Sequence, residues 1–199
     1  THPLSGERIQ ALTANVEESP FYNKGTDPAI EVRFKRIQAK LRGYVNEPAD
    51  TLRRYSPSDQ SVPANYARAY AYHLSGFPDQ AKAACDALLK ANPNDPYFLE
   101  LDGQILLESG KPVDALVPLR RATDMTHSPL IATTFGHALI ATEDKSHYPE
   151  AEKVLRDAVS RDDDNPFAWY QLGTLYETEG DYARSALATA ERANLTGDD

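Results

Sequence analysis

Apolar positions along residues 61–199 form pairs of helical stripes separated by short polar breaks, and the pattern recurs about every 34 residues. Each of four segments has a small residue in its first predicted helix, a turn and an alanine in its second helix, and each of the first three then ends in a proline. Gly76 and Gly110 are 34 positions apart, as are Ala81 and Ala115. A fixed repeat of this length predicts stacked helix hairpins, because one hairpin cannot bury its apolar stripe alone. The predicted fold class is therefore all-α.

Residues 1–60 do not follow this repeat, and they predict additional helices. Ser5 is a candidate N-cap, with Glu7 in the first turn of the helix that it starts. A second helix is predicted from Asp27 as N-cap. We therefore expect an N-terminal helical junction over residues 1–60, followed by about four hairpin repeats over residues 61–199 that end before a further helix.

The second predicted helix is amphipathic. Its apolar side chains share one stripe: Phe34, Ile37, Leu41 and Tyr44. Arg33, Arg36 and Lys40 lie on its other side at helical spacing. This basic face is either a solvated helix surface or a docking surface for an acidic neighbouring domain or anionic lipid.

Composition narrows the possible functions. The net charge is −10 over residues 61–199 and +1 over residues 1–60, and an acidic array does not favour nucleic acid, whose affinity depends on neutralising phosphates. No apolar run approaches the ~18 residues of a membrane span. The one cysteine, Cys85, excludes an internal disulfide and is predicted to be a core residue.

The repeat resembles the tetratricopeptide repeat (TPR), whose W-x2-L-G-x2-Y signature is intact in the last segment. Its residues here are Trp169, Leu172, Gly173 and Tyr176. The other three segments are degenerate at the tryptophan position. The resemblance implies a right-handed superhelix with a concave, peptide-binding groove.

Placing the repeats in register predicts the side chains that line this groove. The candidates lie in the first helix of each hairpin: Tyr66, Tyr70 and His73; Glu100 and Gln104; Thr133 and His137; Tyr170 and Thr174. Tyr66, Tyr70 and His73 would form a strip on which a peptide can stack. The alternative is that this strip packs against the preceding helices of residues 27–54.

Longer stretches are similar to one particular group of proteins. The segments THPLSGERI, RFKRIQAKLRGYV and NDPYFLELDGQILLESGKPVDAL resemble the region downstream of the catalytic domain in periplasmic BepA-like zinc metalloproteases, relatives of HtpX and the CAAX prenyl proteases. That resemblance implies a periplasmic location and a role in outer-membrane protein quality control. It also places His2 near the zinc of the parent protease.

The chain itself lacks the catalytic motif of that family, since none of its histidines begins His-Glu-x-x-His. We therefore expect a non-catalytic arm that needs no cofactor, while zinc would belong to the parent protease. Its expected partners are a client polypeptide or assembly-machine protein and its own upstream catalytic domain, with possible peripheral association with a membrane. The alternative is a free-standing TPR adaptor unrelated to proteolysis.

Overall fold

The computed structural model describes residues 5–197, and within this range the secondary structure is entirely helical. A short 3-10 helix, Lys145–His147, lies directly before the α-helix that starts at Tyr148. The α-helices in chain order are α1 (Ser5–Glu17), α2 (Pro28–Val45), α3 (Pro48–Arg54), α4 (Val62–Leu74), α5 (Pro78–Ala91), α6 (Pro96–Glu108), α7 (Pro112–Thr126), α8 (Pro129–Ala141), α9 (Tyr148–Arg161), α10 (Pro166–Glu179) and α11 (Tyr182–Thr196). None of these helices is long and apolar enough to cross a membrane.

The described chain divides into two compact units, residues 5–38 and 39–197. In the first unit, α1 begins at Ser5 with Glu7 in its first turn, and it buries none of its residues. The predicted start of α2 is confirmed, because Asp27 accepts a hydrogen bond from the backbone N–H of Ala29 at 2.8 Å. This unit exposes a series of apolar side chains: Ile9, Leu12, Val16, Phe21, Tyr22, Ile30, Val32, Phe34 and Ile37.

The second unit begins at Ala39, upstream of the boundary predicted at residue 60. The C-terminal part of α2 packs on α4 through Gly43, where a Cβ would lie only 2.7 Å from the carbonyl oxygen of Ala67. Leu41 and Tyr44, expected on the apolar packing stripe of α2, are instead exposed. A glycine allows backbones to approach more closely than a stripe of large side chains would, so the small-residue side of α2 is the buried one.

Four helix hairpins follow: α4–α5, α6–α7, α8–α9 and α10–α11, each packed on the next. Asp95 caps α6 by accepting hydrogen bonds from Tyr97 N and Phe98 N, and Asn165 caps α10 in the same way. Ser128 stands at the equivalent position before α8, but its side chain makes no capping hydrogen bond. Side-chain caps therefore mark the starts of four of the eight hairpin helices, namely α4, α6, α10 and α11.

Two glycines set the spacing within the middle hairpins. A Cβ at Gly103 would lie 2.3 Å from Leu119 Cγ, and a Cβ at Gly136 would lie 2.5 Å from Leu155 Cγ. Both leucines are fully buried. The nearest partner of each glycine is thus a leucine on the second helix of the same hairpin.

The start of the repeat array is held by a buried guanidinium group. Arg68 of α4 donates hydrogen bonds to the carbonyl oxygens of Tyr55 and Ser56, at 3.3 and 2.5 Å, and to Asn65 Oδ1 at 2.7 Å. Only 3% of Arg68 is exposed to solvent. These acceptors compensate for the cost of removing the charge from water, and they fix the loop after α3 against α4.

Cys85 is a core residue, as predicted. It is fully buried, and its thiol lies 3.5 Å from the carbonyl oxygen of Phe98. Burial raises the pKa of this thiol far above its ordinary value. The cysteine therefore packs as a small apolar residue.

Candidate polypeptide-binding groove

Side chains of the first helix in each hairpin, α4, α6, α8 and α10, contact one another along one side of the array. His73 of α4 lies 2.9 Å from Glu108 of α6. His137 of α8 meets Phe167 of α10 edge to face, with ring centroids 5.6 Å apart. Stacked hairpins bring equivalent positions side by side, so these contacts define a continuous groove surface, here taken as the exposed and half-buried side chains of these four helices.

The expected stacking strip of tyrosines is not part of this surface. Tyr66 and Tyr70 are only 1% and 2% exposed, and their rings lie 5.4 Å apart. Tyr70 also contacts Tyr44 of α2, at a centroid distance of 6.1 Å. The structure therefore shows the alternative arrangement, in which these tyrosines pack against the preceding helix. Gly43 allows this packing because it lets α2 cover the rings.

Thr133 is also removed from the groove. It is 1% exposed, and its hydroxyl donates to the carbonyl oxygen of Pro129 at 2.9 Å. Thr174 is half-buried and bonds in the same way to the carbonyl oxygen of Tyr170, at 3.0 Å. A hydroxyl that bonds to its own helix is engaged, so neither threonine is positioned as a primary contact for a ligand.

The centre of the groove surface is a polar cluster. Glu108 receives a hydrogen bond from Gln104 at 3.0 Å, while its other carboxylate oxygen faces His73 Nε2. The hydrogen bond with His73 is the main reason that the pKa of Glu108 is lowered, and Gln104 contributes in the same direction. His73, Gln104 and His137 were all predicted groove residues, and the structure brings them together around a carboxylate that sequence reasoning missed.

His137 lies on the far side of this cluster. Burial lowers its pKa, and the negative charge of Glu108 opposes that shift. A neutral imidazole offers one donor and one acceptor nitrogen. The cluster therefore presents both kinds of hydrogen-bonding group, which is what the backbone of an extended peptide requires.

An aromatic platform continues from His137. Phe167 and Tyr170 of α10 are stacked, with centroids 6.3 Å apart, and both remain nearly half exposed. The guanidinium group of Arg192 lies 5.0 Å from the centroid of Tyr170. Exposed aromatic rings held in place by neighbours are effective contacts for a ligand, because little side-chain entropy is lost on binding.

At the other end of the groove surface, Glu100 faces Lys40 of α2. The distance between the Lys40 ammonium and the carboxylate is 3.7 Å, and the ammonium lies over the rings of Tyr70 and Tyr97. Burial raises the pKa of Glu100, and Lys40 opposes that shift. Lys40 is thus engaged within the chain while 39% of its side chain remains exposed, and its role as a docking residue stays a prediction.

The other predicted docking and metal residues have separate positions. Arg33 is exposed and Arg36 is half-buried, both within the first compact unit. His2 lies outside the described residues. Among residues 5–197 no group of three or more His, Cys, Asp or Glu side chains is arranged to hold a metal ion.

Three contributors to the groove surface were missed from sequence: Tyr97, Phe167 and Glu108. The predicted groove residues lie mainly in the middle of each first helix, whereas Tyr97 and Phe167 are the second residues of α6 and α10. Glu108 lies one helical turn after Gln104. Extending the same face by one turn in both directions would have found all three.

A pocket of about 390 Å³ lies on the last two hairpins. Its walls come from α9, α10 and α11, and include the signature residues Trp169, Leu172 and Tyr176. The indole N–H of Trp169 donates to the carbonyl oxygen of Asp163 at 2.9 Å. The signature therefore stabilises the junction between hairpins and also leaves an apolar cavity there.

A family model for the tetratricopeptide repeat matches residues 66–126 and 141–198. A comparison with curated proteins gave no match.

Several solved structures share the fold. YrrB, described as a TPR protein with an unusual peptide-binding site, is 22% identical, with a TM-score of 0.64 over 85% of this chain and 91% of its own. MamA from Desulfovibrio magneticus RS-1, from residue 41 to its end, is 17% identical, with a TM-score of 0.69 over 84% and 96%. A further MamA protein is 21% identical, with a TM-score of 0.61 over 68% and 73%. At these identities the likeness concerns the fold alone.

Proposed function

The chain belongs to the tetratricopeptide repeat family, a scaffold for protein interaction, and from this premise we propose that its groove surface binds an extended segment of another polypeptide. The observation that carries the proposal is the run of side chains from His73 to Tyr170. It combines hydrogen-bonding groups at Gln104, Glu108 and His137 with the exposed aromatic platform of Phe167 and Tyr170.

The physical basis is the match between this surface and a peptide. Amide and carboxylate groups pair with backbone N–H and C=O groups, which an extended peptide leaves unpaired. The aromatic platform offers a place for an apolar side chain. No covalent step is involved, so the proposed activity is binding.

We further propose that the chain serves as the interaction arm of a BepA-like periplasmic zinc metalloprotease and presents client polypeptides to it. The sequence segments that resemble such proteases support this proposal. The apolar side chains exposed on α1 and on the first part of α2 also support it, because surfaces of this kind mark contacts with another protein. In this role the first unit would contact the protease domain, and the groove surface would hold the client of outer-membrane quality control.

The binding proposal is tested with peptides selected from a random display library on the immobilised chain. Replacing Phe167 and Tyr170 together by alanine is expected to weaken the selected peptides roughly tenfold or more, since buried aromatic contacts dominate interface energies. Tyr182→Ala is the matched control, because Tyr182 is exposed at the start of α11, away from the groove surface. Equal affinity for all three proteins would contradict the proposal.

Tyr66 and Tyr70 are unsuitable for this test. Both are core residues, so their replacement by alanine would damage the fold and abolish binding for that reason alone. The protease proposal has its own test, which is to read the gene upstream of Thr1. A His-Glu-x-x-His motif there would support it, and a coding region without one would favour the free-standing adaptor.

A further inference from the structure

The ammonium group of Lys40 lies in a cage of one carboxylate and two aromatic rings. Its Nζ atom is 3.7 Å from Glu100 Oε2 and 5.7 Å from the ring centroids of both Tyr70 and Tyr97. A cation within about 6 Å of a ring centroid is attracted by the face of the ring. Three independent groups therefore converge on one cation.

The residues that form the cage belong to the repeat array, so the cage does not depend on Lys40 for its structure. Glu100 and Tyr97 belong to α6 and Tyr70 to α4, and only 15% of the Glu100 side chain is exposed. Glu100 Oε2 is buried without a hydrogen-bond partner, since the contact with Lys40 is longer than a hydrogen bond. Burial of an unpaired carboxylate is costly, so Glu100 is stabilised more by a nearby cation than the flexible, partly exposed Lys40 is by a nearby carboxylate.

The cage also continues the groove surface. Glu100 is one helical turn before Gln104, which bonds to Glu108 in the polar cluster. A peptide lying along the groove surface would therefore pass the cage. Residues 61–199 carry most of the negative charge of the chain, which favours a cationic segment in this position.

We propose that the cage of Tyr70, Tyr97 and Glu100 is a binding site for a lysine side chain of the bound polypeptide, which enters by replacing Lys40. The inference rests on the proposed function and deepens it by naming a residue type that the groove selects. In the unliganded chain Lys40 occupies the site and holds the buried charge of Glu100. A client with a suitably placed lysine makes the same contacts and frees Lys40 to solvent.

A chemical-rescue experiment tests the cage without any client. Lys40→Ala empties the cage, and n-butylammonium chloride supplies the missing ammonium group on an alkyl stem. The thermal unfolding midpoint of Lys40→Ala is expected to rise with n-butylammonium well above its value in the same concentration of sodium chloride. The wild-type chain and the exposed-site control Lys90→Ala should show no such excess.

Glu100→Gln combined with Lys40→Ala is the second variant, and it should lose the rescue because the charge that attracts the cation is gone. A rise in midpoint that is equal in wild type, Lys40→Ala and the double variant would overturn the proposal, since it would reflect a general solvent effect.

The peptide measurement tests the same site in the bound state. Peptides from the library that contain lysine should bind Lys40→Ala roughly tenfold more tightly than wild type, the factor expected if the cage is open in about a tenth of wild-type molecules. Exchanging the peptide lysine for norleucine should remove this gain. If peptides bind but neither change affects them, the inference is wrong and the proposed function stands. A library without binders would contradict the proposed function. The rescue experiment would still test whether the cage binds an ammonium group.

Discussion

His73 on α4 and Glu108 on α6 are hydrogen-bonded across two consecutive hairpins, with His73 Nε2 2.9 Å from the Glu108 carboxylate. Glu108 also accepts a hydrogen bond from Gln104, so its two carboxylate oxygens face partners on two helices. The pair thus links the first helices of adjacent repeats at the centre of the groove surface. Any ligand that bonds to Glu108 must compete with, or add to, these contacts.

The first prediction concerns pH. Burial lowers the pKa of His137, so between that lowered value and the unfolded value of about 6.5 the unfolded chain binds more protons than the folded one. The contribution of His137 to the free energy of unfolding therefore decreases as pH falls through this window. The pKa of Glu108 is also lowered, so protonation of Glu108 causes a further decrease in the free energy of unfolding at lower pH.

Urea unfolding at pH 7.5 and 5.5 measures this effect. His137→Gln is expected to lose less stability between the two pH values than the wild-type chain, because the titrating group is gone. His127→Asn is the control, since His127 is exposed and its left-handed backbone suits asparagine. The same difference between the two pH values in wild type and His137→Gln would refute the assignment.

The second prediction concerns the glycines inside the first helices. Gly103→Ala should lower the free energy of unfolding by about 1–3 kcal/mol, since its Cβ would overlap the buried side chain of Leu119. Gly173→Ala is the matched control from the intact signature. A Cβ there would lie 3.7 Å from Ala188 Cβ, an ordinary contact.

Alanine also has the higher helix propensity, so Gly173→Ala should be neutral or stabilising by up to about 1 kcal/mol. Chemical denaturation of both variants gives the comparison. Equal effects would show that the close approach at Gly103 is relieved by movement of Leu119. The looser packing around Gly173 would then not make that position more tolerant of a side chain than Gly103.

The contrast between these glycines shows what the sequence could predict. The 34-residue spacing from Gly76 to Gly110 was enough to predict the hairpins, because helix breaks are signalled locally in the sequence. The sequence could not predict whether the rings of Tyr66 and Tyr70 face a groove or another helix, because that depends on a tertiary contact. The absence of a side chain at one position of α2 decides it.

A tertiary contact also explains why the surroundings of the predicted docking residue Lys40 could not be read from the sequence. A periodic pattern places Lys40 on the basic face of α2, but it does not reveal that Glu100, sixty residues later, is buried opposite it. Both residues were candidates, for docking and for the groove, and the structure unites them in one cage. His73, Gln104 and His137 could be placed together from the sequence because their positions depend on helix register alone, and their role in binding stays a prediction.

The third prediction concerns Cys85. Because its thiol is buried and its pKa is raised, the thiolate that reacts with aromatic disulfide reagents is scarce and inaccessible in the folded chain. Reaction with such a reagent should be slow in buffer and fast in denaturing urea. Rapid, complete reaction in the folded chain would contradict the packing of α5 against α6.

The last prediction concerns Arg68. Replacing this residue by methionine keeps an unbranched stem in the core but removes the guanidinium group, which leaves the carbonyl oxygens of Tyr55 and Ser56 without their donor. We expect a loss of about 2–4 kcal/mol in the free energy of unfolding, since hydrogen bonds from a charged group to buried acceptors are among the stronger ones.

Arg121→Met is the matched control. Arg121 bonds to the carbonyl oxygen of Pro93 at 3.1 Å and to Asn94 Oδ1 at 2.8 Å, but it is exposed, and water can replace those contacts. Its replacement should cost less than about 1 kcal/mol. Equal losses for the two variants in urea unfolding would show that Arg68 acts through its apolar stem. A larger loss at Arg68 would establish that its charge anchors the loop before α4, and with it the start of the groove surface.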